Sequence, residues 1–259
     1  MRALFLAINT IILLFLLVPV GIVILFALNP EPYIAFPPSG VSLRWFEKFL
    51  TSRDFMGAFW LSLKLGVLTV ILAGSIGTAA ALAIARGNLP GKATLTAIFL
   101  SPLVLPGLLT GFAMFQLVMV LGIGRSTEVL LIGHTVVAIP YVMRTVLAVL
   151  AHFDRSLEEA ARNLGATPAV VFREITLPLI RPGVIAGGMF AFITSFDQFP
   201  VSLFLVAPGA ETLPIAMFNY LRFDFDGTIA AASTASILMA VILVLAIEKT
   251  VGLQDNAKL

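Results

Sequence analysis

Residues 3–28 read ALFLAINTIILLFLLVPVGIVILFAL, an apolar run interrupted only by Asn9, Thr10 and Pro19. A helix needs about 20 apolar residues to cross the hydrocarbon core of a bilayer. The apolar core of a secretory signal peptide is shorter, roughly 7–15 residues, and ends at a small-residue cleavage site. This run is longer and continues directly into Asn29, so it predicts a retained membrane-spanning helix.

The rest of the chain repeats this pattern. Further apolar stretches of spanning length lie at roughly 57–85, 94–121, 127–150, 184–207 and 228–248. Only 12% of the residues are charged and 59% are hydrophobic, whereas a soluble domain carries roughly 25% charged residues. The lipid bilayer must therefore cover much of the surface. The predicted fold class is an all-α membrane protein with six transmembrane helices.

The polar residues exclude several functions. With no cysteine, the chain has no disulfide, thiolate zinc site or cysteine nucleophile. Its two histidines, His134 and His152, argue against a histidine-rich metal site. The net charge of +2 comes without a basic run, so a nucleic-acid partner is not expected.

Lysine and arginine indicate the orientation, because they are enriched in cytoplasmic loops. The Arg-rich stretch 151–182 should be cytoplasmic, and both termini are then expected on the same side. The residues placed inside are Arg2, Arg86, Lys92, Arg144, Arg155, Arg162, Arg173, Arg181, Lys249 and Lys258. The long loop 29–56 is then outside, with the indole of Trp45 predicted in the membrane interface.

The inner loop 151–183 reads AHFDRSLEEAARNLGATPAVVFREITLPLIRPG. Ser156 to Glu159 has the spacing of a capping box, and Gly165 suits the position that follows a helix. Thr167-Pro168 is typical of a second helix start, and Pro178 and Pro182 are expected to end that helix. The loop is therefore predicted to be two short helices joined by a glycine turn.

The same loop resembles the EAA loop of permease subunits of type I ABC importers. Glu159-Ala160-Ala161 is followed after three residues by Gly165, after nine more by Ile175, and then by Leu177-Pro178. In that family the loop is a coupling helix that docks on an ATP-hydrolysing subunit. The resemblance implies one transmembrane permease domain over 1–259, with residues 151–183 as its coupling loop.

The resemblance also implies partners. They are a second permease subunit in a heterodimer, two ATP-binding subunits and a periplasmic or extracellular solute-binding protein, assembled in the bacterial inner membrane. A second permease chain is also expected because no internal repeat is apparent. No cofactor is expected in this chain, since ATP and Mg would be bound by the partner ATPase. Residues 87–94 are only a near miss to a phosphate loop, because Ala93 follows Lys92 where Ser or Thr is required.

Asp197 is the one carboxylate well inside a predicted span. Intramembrane charges are costly and therefore functional by default, and Pro200 weakens the helix beside it. We predict a substrate path in which Asp197 is a counter-charge and Phe196 and Phe199 are cation–π walls, with Ser195 and Gln198 alongside. The alternative for Asp197 is a structural bond to a neighbouring helix.

The region from Ser195 to Asp197, with Val201-Ser202 and Thr212 to Pro214, resembles the spermidine/putrescine permeases. The resemblance implies a polyamine or a related amine or amino-acid-like solute. Those proteins usually carry a second acidic residue where Gln198 stands, and one carboxylate instead of two favours a mono-amine, an amino acid or a zwitterionic solute over a di- or polycation. Two other functions remain open: a secondary transporter or channel with Asp197 as its ion or proton site, and a membrane scaffold that recruits a cytosolic protein. An enzyme is not expected, because no nucleophile–base or metal-ligand set appears.

Overall fold

The computed structural model describes residues 1–33 and 37–251 of the 259-residue chain, and within these ranges it is helical with no β-strand. Residues 34–36 of the predicted outer loop, and Lys258, lie outside the described residues. In chain order the helices are α1 (Arg2–Leu28), α2 (Arg44–Thr51), α3 (Arg53–Arg86), α4 (Lys92–Val104), α5 (Gly107–Val120), α6 (Thr127–Ala151), α7 (Ser156–Asn163), α8 (Pro168–Val171), α9 (Leu177–Phe196), α10 (Phe199–Leu205), α11 (Leu213–Leu221) and α12 (Thr228–Val251). A π-helical segment, Phe172–Thr176, joins α8 to α9.

Five helices in the described ranges are long and apolar enough to cross a membrane: α1, α3, α6, the continuous helix Pro168–Phe196, and α12. Taken together, α4 and α5 are also long enough, but their axes meet at 110°. Pro102 and Pro106 lie on either side of the bend, as expected for residues that interrupt helical hydrogen bonding. Pro106 is the N-cap of α5, where a missing N–H costs no helical hydrogen bond.

The expected end of the second loop helix at Pro178 and Pro182 is wrong. The helix runs without interruption from Pro168 through Phe196. A proline ring clashes with the carbonyl four residues earlier, but the turn before Pro178 is π-helical and the Leu177 N–H bonds to the carbonyl of Phe172. The extra residue in that turn widens the helix and makes room for the proline ring.

The internal contacts divide the chain into two units. The first unit contains Met1–Phe59 and Ile215–Ile242. In it, Trp45 of α2 is 5% exposed, and its Nε1–H donates to the carbonyl of Asn29 at 2.7 Å. The ring covers Gly227 so closely that a side chain there would collide with it. The ring thus has a buried backbone acceptor and an apolar neighbour inside the unit, and the interfacial position of α2 stays a prediction.

An ion pair and two hydrogen bonds also hold α2 within this first unit. The Nζ of Lys48 donates to Asp226 at 2.7 Å and to the Tyr220 hydroxyl at 2.8 Å. The Tyr220 hydroxyl donates to the same carboxylate at 2.9 Å. Burial by itself would raise the pKa of Asp226, but hydrogen bonds from Lys48, Thr228 and Tyr220 outweigh it and lower the pKa. Asp226 is thus paired with a cation and a hydroxyl inside this unit.

The second unit contains Trp60–Pro214 and the segment that begins at Leu243. Glycines let its helices approach closely. A Cβ on Gly183 would lie 2.9 Å from the carbonyl oxygen of Thr145, and one on Gly187 would overlap the Thr145 hydroxyl. Gly107 and Gly111 meet α10 at Pro200 in the same way. Both glycine pairs have the GxxxG spacing, which is typical of close helix packing.

Candidate functional site

The loop between α6 and α9 contains the helix–turn–helix that the sequence predicts. Gly165 follows α7 with φ +88°, the left-handed region that favours glycine. The N–H of Gly165 bonds to the carbonyl of Arg162, and that of Ala166 to the carbonyl of Ala161, which together form a Schellman motif. The Thr167 hydroxyl caps α8 by accepting from Val170 N–H, also as predicted.

The predicted capping box at the start of α7 is wrong. Ser156 is the first residue of the helix and not its N-cap. Its N–H donates to the carboxylate of Asp154 at 2.9 Å, and this hydrogen bond lowers the pKa of Asp154. An ionised carboxylate accepts more strongly than a hydroxyl, which explains why Asp154 replaces the serine. Glu159 instead lies 3.6 Å from the Nε of Arg155 on the exposed side of α7.

The outward side of α7 is small and apolar. Leu164 is 90% exposed, and Leu157 is also exposed. Glu159 and Ala160 are exposed beside them. The remaining residues of the EAA pattern are distributed as follows: Gly165, Leu177 and Pro178 are exposed, and Ala161 and Ile175 are half-buried.

A buried ion pair holds the other side of α7, and the sequence analysis missed it. The Oε2 of Glu158 lies 3.2 Å from the Nε of Arg86 at the end of α3. The Thr176 hydroxyl donates to Oε1 of Glu158 at 2.9 Å, and the Arg86 guanidinium lies 4.9 Å from the ring centroid of Phe153. The one available signal was Arg86 at the C-terminal end of an apolar stretch. The EAA pattern draws attention to Glu159, and nothing in the sequence indicates that Glu158 is the buried one of the two.

The predicted substrate-path residues lie around the break between α9 and α10. Asp197 is the C-cap of α9 and Pro200 is in the first turn of α10, so the predicted break is confirmed. The Asp197 side chain is exposed and forms no hydrogen bond or ion pair with residues 1–33 or 37–251. The five residues point to different environments: Ser195, Phe196 and Gln198 are buried, Phe199 is half-buried, and Asp197 alone is exposed.

Ser195 belongs to a buried chain of polar side chains centred on His134. The Nδ1 of His134 lies 2.8 Å from the Ser195 hydroxyl and the Nε2 lies 3.0 Å from the Ser202 hydroxyl. The hydroxyls of Ser195 and Thr69 are 3.1 Å apart. His134 of α6 is thus bonded to residues of α9 and α10.

The donor and acceptor of each hydrogen bond around His134 follow from the available acceptors. The Ser202 hydroxyl donates to the carbonyl of Gln198, so it must accept from Nε2–H of His134. An imidazolium would be costly in this apolar interior, so Nδ1 is an acceptor and Ser195 donates to it. Ser195 is then free to accept from Thr69. The imidazole of His134 thus has a partner at both nitrogens. These hydrogen-bonded side chains connect α3, α6, α9 and α10.

No group of three or more potential metal-ligating side chains occurs in the described ranges. The near miss to a phosphate loop, residues 87–94, consists of a turn that ends at Gly91, with φ +72°, and the first residues of α4. The chemistry of the second unit is therefore carried by two places: the exposed face of α7 with the buried Glu158 behind it, and the α9–α10 break with Asp197.

Comparison with protein families and with individual proteins finds membrane components of transport systems in both cases. The family described as "Binding-protein-dependent transport system inner membrane component" matches residues 76–250. The chain is 34% identical over 227 residues to "Putrescine transport system permease protein PotI" of Escherichia coli (strain K12), covering 85% of this chain and 80% of the relative. It is 28% identical over 237 residues to "Spermidine/putrescine transport system permease protein PotC" of the same organism, covering 92% of this chain and 89% of the relative.

The fold also matches solved structures. A chain from the crystal structure of a bacterial ABC transporter involved in the import of alginate superimposes with a TM-score of 0.70. The match covers 95% of this chain and 96% of that chain at 17% sequence identity. At this identity the likeness concerns the fold alone.

Proposed function

The chain belongs to the family of binding-protein-dependent transport system inner membrane components, as an ABC importer permease subunit related to the spermidine/putrescine permeases, and from this premise we propose that it forms half of the path for a small organic amine and couples that path to a separate ATPase. It is a transport subunit and not an enzyme, since its relatives are transport permeases.

Docking of the ATPase is proposed on the outward side of α7. Leu164, at 90% exposure, is the observation that carries this proposal. Burying a leucine side chain stabilises an interface by roughly 1.5–3 kcal/mol, and Ala160 beside it allows a partner to approach closely. Glu159, Ala161, Gly165, Ile175, Leu177 and Pro178 complete the EAA pattern around this surface. ATP and Mg would then be bound by the partner and not by this chain.

The substrate path is proposed at the α9–α10 break. Asp197 is exposed there without a partner among the described residues, whereas the structural alternative requires a bond to a neighbouring helix. A free carboxylate favours a cationic solute, in keeping with the names of the polyamine-permease relatives. Phe199, which is half-buried beside it, is the better placed of the two predicted aromatic walls, because Phe196 is buried.

The assembly is proposed to contain a second permease subunit, two ATP-binding subunits and a solute-binding protein on the outer side. Counting α4 and α5 as one bent span gives six spans, and an even number places both termini on one side. That side is cytoplasmic if the Arg-rich loop that contains α7 faces the cytoplasm. The proposed docking on α7 requires the same orientation, since the ATPase binds from the compartment that contains ATP.

The coupling proposal is tested at Gly165. A residue with a Cβ costs about 1–2 kcal/mol in the left-handed conformation, and asparagine tolerates it better than valine. We expect Gly165→Val to release the ATPase from the assembled transporter, or to leave ATP hydrolysis running without uptake, while Gly165→Asn retains most of the uptake. Co-purification of the ATPase and uptake of radiolabelled putrescine into cells are the measurements.

The matched control is Gly91→Val, which places the same strain at φ +72° on the turn before α4 and not on the turn after α7. Open space surrounds both glycines within the chain, so neither substitution creates an internal clash. Full coupled uptake by Gly165→Val would disprove docking at this turn. Uptake that depends on the proton gradient and not on ATP would favour the secondary-transporter alternative.

A further inference from the structure

Arg86, Glu158 and Thr176, here called the inner link, join three elements of the second unit. Arg86 is the last residue of α3, Glu158 lies in the first turn of α7, and Thr176 ends the π-helical segment. The side chain of Glu158 is only 6% exposed, and that of Arg86 is 21% exposed. The Oε1 atom of Glu158 accepts from the Thr176 hydroxyl, and Oε2 is in ion-pair contact with the Arg86 guanidinium. This contact is electrostatic, because the buried Nε and Nη2 of Arg86 form no hydrogen bond with the described residues.

The inner link differs in kind from the other ion pairs of the loop. Arg173 and Glu174 pair at 2.9 Å but are 81% and 59% exposed, and such surface pairs contribute little. A buried pair contributes little net stability compared with apolar residues, yet removing one partner leaves a buried charge uncompensated. Its effect is thus on geometry: α7 has one favourable position relative to α3 and the π-helical segment.

The π-helical segment explains how Thr176 takes part. In this widened turn the Thr176 hydroxyl points toward Glu158 while it also lies 3.5 Å from the carbonyl of Val171. Because α9 continues directly from this turn, a displacement of α7 acts on α9 through Thr176 and on α3 through Arg86. The two long helices are joined a second time at Thr69 and Ser195, so they would move together.

We propose that the inner link is the positioning element that transmits movement of the docking helix α7 to the membrane-spanning helices α3 and α9. The proposal rests on the proposed function, because it presumes that α7 receives a displacement from the ATPase. It assigns the transmission to the buried Glu158 and leaves Glu159, on the exposed side, to the partner surface. Arg86 and Thr176 act through Glu158 and touch neither solute nor nucleotide.

The experiment uses spin labels attached to introduced cysteines. Because the sequence contains no native cysteine, only the introduced positions are labelled. Labels at Asn88→Cys and Asn163→Cys, both exposed, report the separation of the α3 end from α7 by EPR. The separation is measured in the permease and in the assembled transporter, with and without ATP and vanadate. The unaltered inner link should give one narrow distance in every state.

Glu158→Gln and Arg86→Gln should each lose this single distance, and putrescine uptake should fall by about tenfold or more while ATP hydrolysis continues. The charge-reversed pair R86E/E158R should recover the narrow distance, because the Thr176 hydroxyl can accept from an arginine as well as donate to a carboxylate. Glu174→Gln, which removes an exposed partner from the same loop, is the matched control and should behave as wild type.

An unchanged distance in Glu158→Gln would overturn the proposal, as would a charge-reversed pair that assembles but stays broad. If both single variants fail to accumulate, accumulation of the charge-reversed pair with the narrow distance would by itself support the proposal. Failure of the proposed function looks different: the ATPase would not co-purify with the unaltered chain, although the EPR comparison in the permease alone could still be made.

Discussion

At the residue scale, neighbours in the sequence have opposite environments. The Ser195 hydroxyl is buried and bonded to His134, whereas the Asp197 carboxylate two residues later is exposed and unpaired among the described residues. The difference arises because α9 ends at Phe196, and the break turns Asp197 away from the helix interface. A buried serine with satisfied hydrogen bonds positions helices, whereas a free carboxylate at a break can meet a solute.

This contrast predicts the effect of removing the charge at Asp197. A charge-assisted hydrogen bond contributes roughly 1.5–3 kcal/mol, so Asp197→Asn should lower the uptake of putrescine about tenfold or more. Asp197→Glu should retain most of it, since the charge remains. Uptake is measured in cells that express the assembled transporter. Asp224→Asn, which removes an exposed acid from the loop before α12, is the control, and equal uptake by Asp197→Asn and wild type would make Asp197 a packing residue.

At the element scale, short helices are held by specific polar contacts and long ones by apolar packing. Helix α2 has only eight residues, which is too short to be stable alone in water. It is held by the Trp45 bond to Asn29 and by the Lys48–Asp226 pair. Helix α7 is equally short and is held by Glu158.

The α2 contacts predict a dependence on pH. The pKa of Asp226 is lowered in the folded chain, so its contribution is present above its ordinary pKa of 3.8 and is lost as the pH falls through the lowered value. The pKa of Lys48 is raised, chiefly by its hydrogen bond to Asp226, so its contribution is lost only at strongly alkaline pH. Between these limits α2 should stay in place.

The measurement is the fluorescence of Trp45, the only indole left after Trp60→Phe. Its emission should be constant near neutral pH and shift to longer wavelength as the pH falls below about 3.8, when the ring becomes solvated. In the same background, Asp226→Asn should already be shifted at neutral pH. Identical pH profiles for the two proteins would show that the ion pair does not hold α2.

At the scale of the whole molecule, the side of the membrane on which α7 lies depends on the bent α4–α5 pair. If the pair counts as one span, residue 39 and the loop with α7 are on opposite sides of the membrane. If the pair does not span, they are on the same side. The same helices thus allow two topologies, and the positive-inside distribution favours the first.

Single cysteines in this cysteine-free chain distinguish the two topologies. We expect Ser39→Cys to react with a membrane-impermeant maleimide on intact spheroplasts, and Ser156→Cys to react only after lysis. Both positions are exposed in the structure, so accessibility within the protein does not limit labelling. Reaction of both cysteines in intact spheroplasts would contradict six spans.

The sequence by itself determined the membrane environment, the approximate spans, the break beside Asp197 and the glycine turn of the inner loop. These follow from local properties: the length of apolar runs, the missing N–H of proline and the backbone freedom of Gly165. The structure decided which acid is buried, how Trp45 is used and why the helix continues past Pro178. The burial of Glu158 and of Trp45 depends on residues far away in the sequence, Arg86 and Gly227. The continuation past Pro178 depends on a widened π-helical turn, which local residue preferences do not predict.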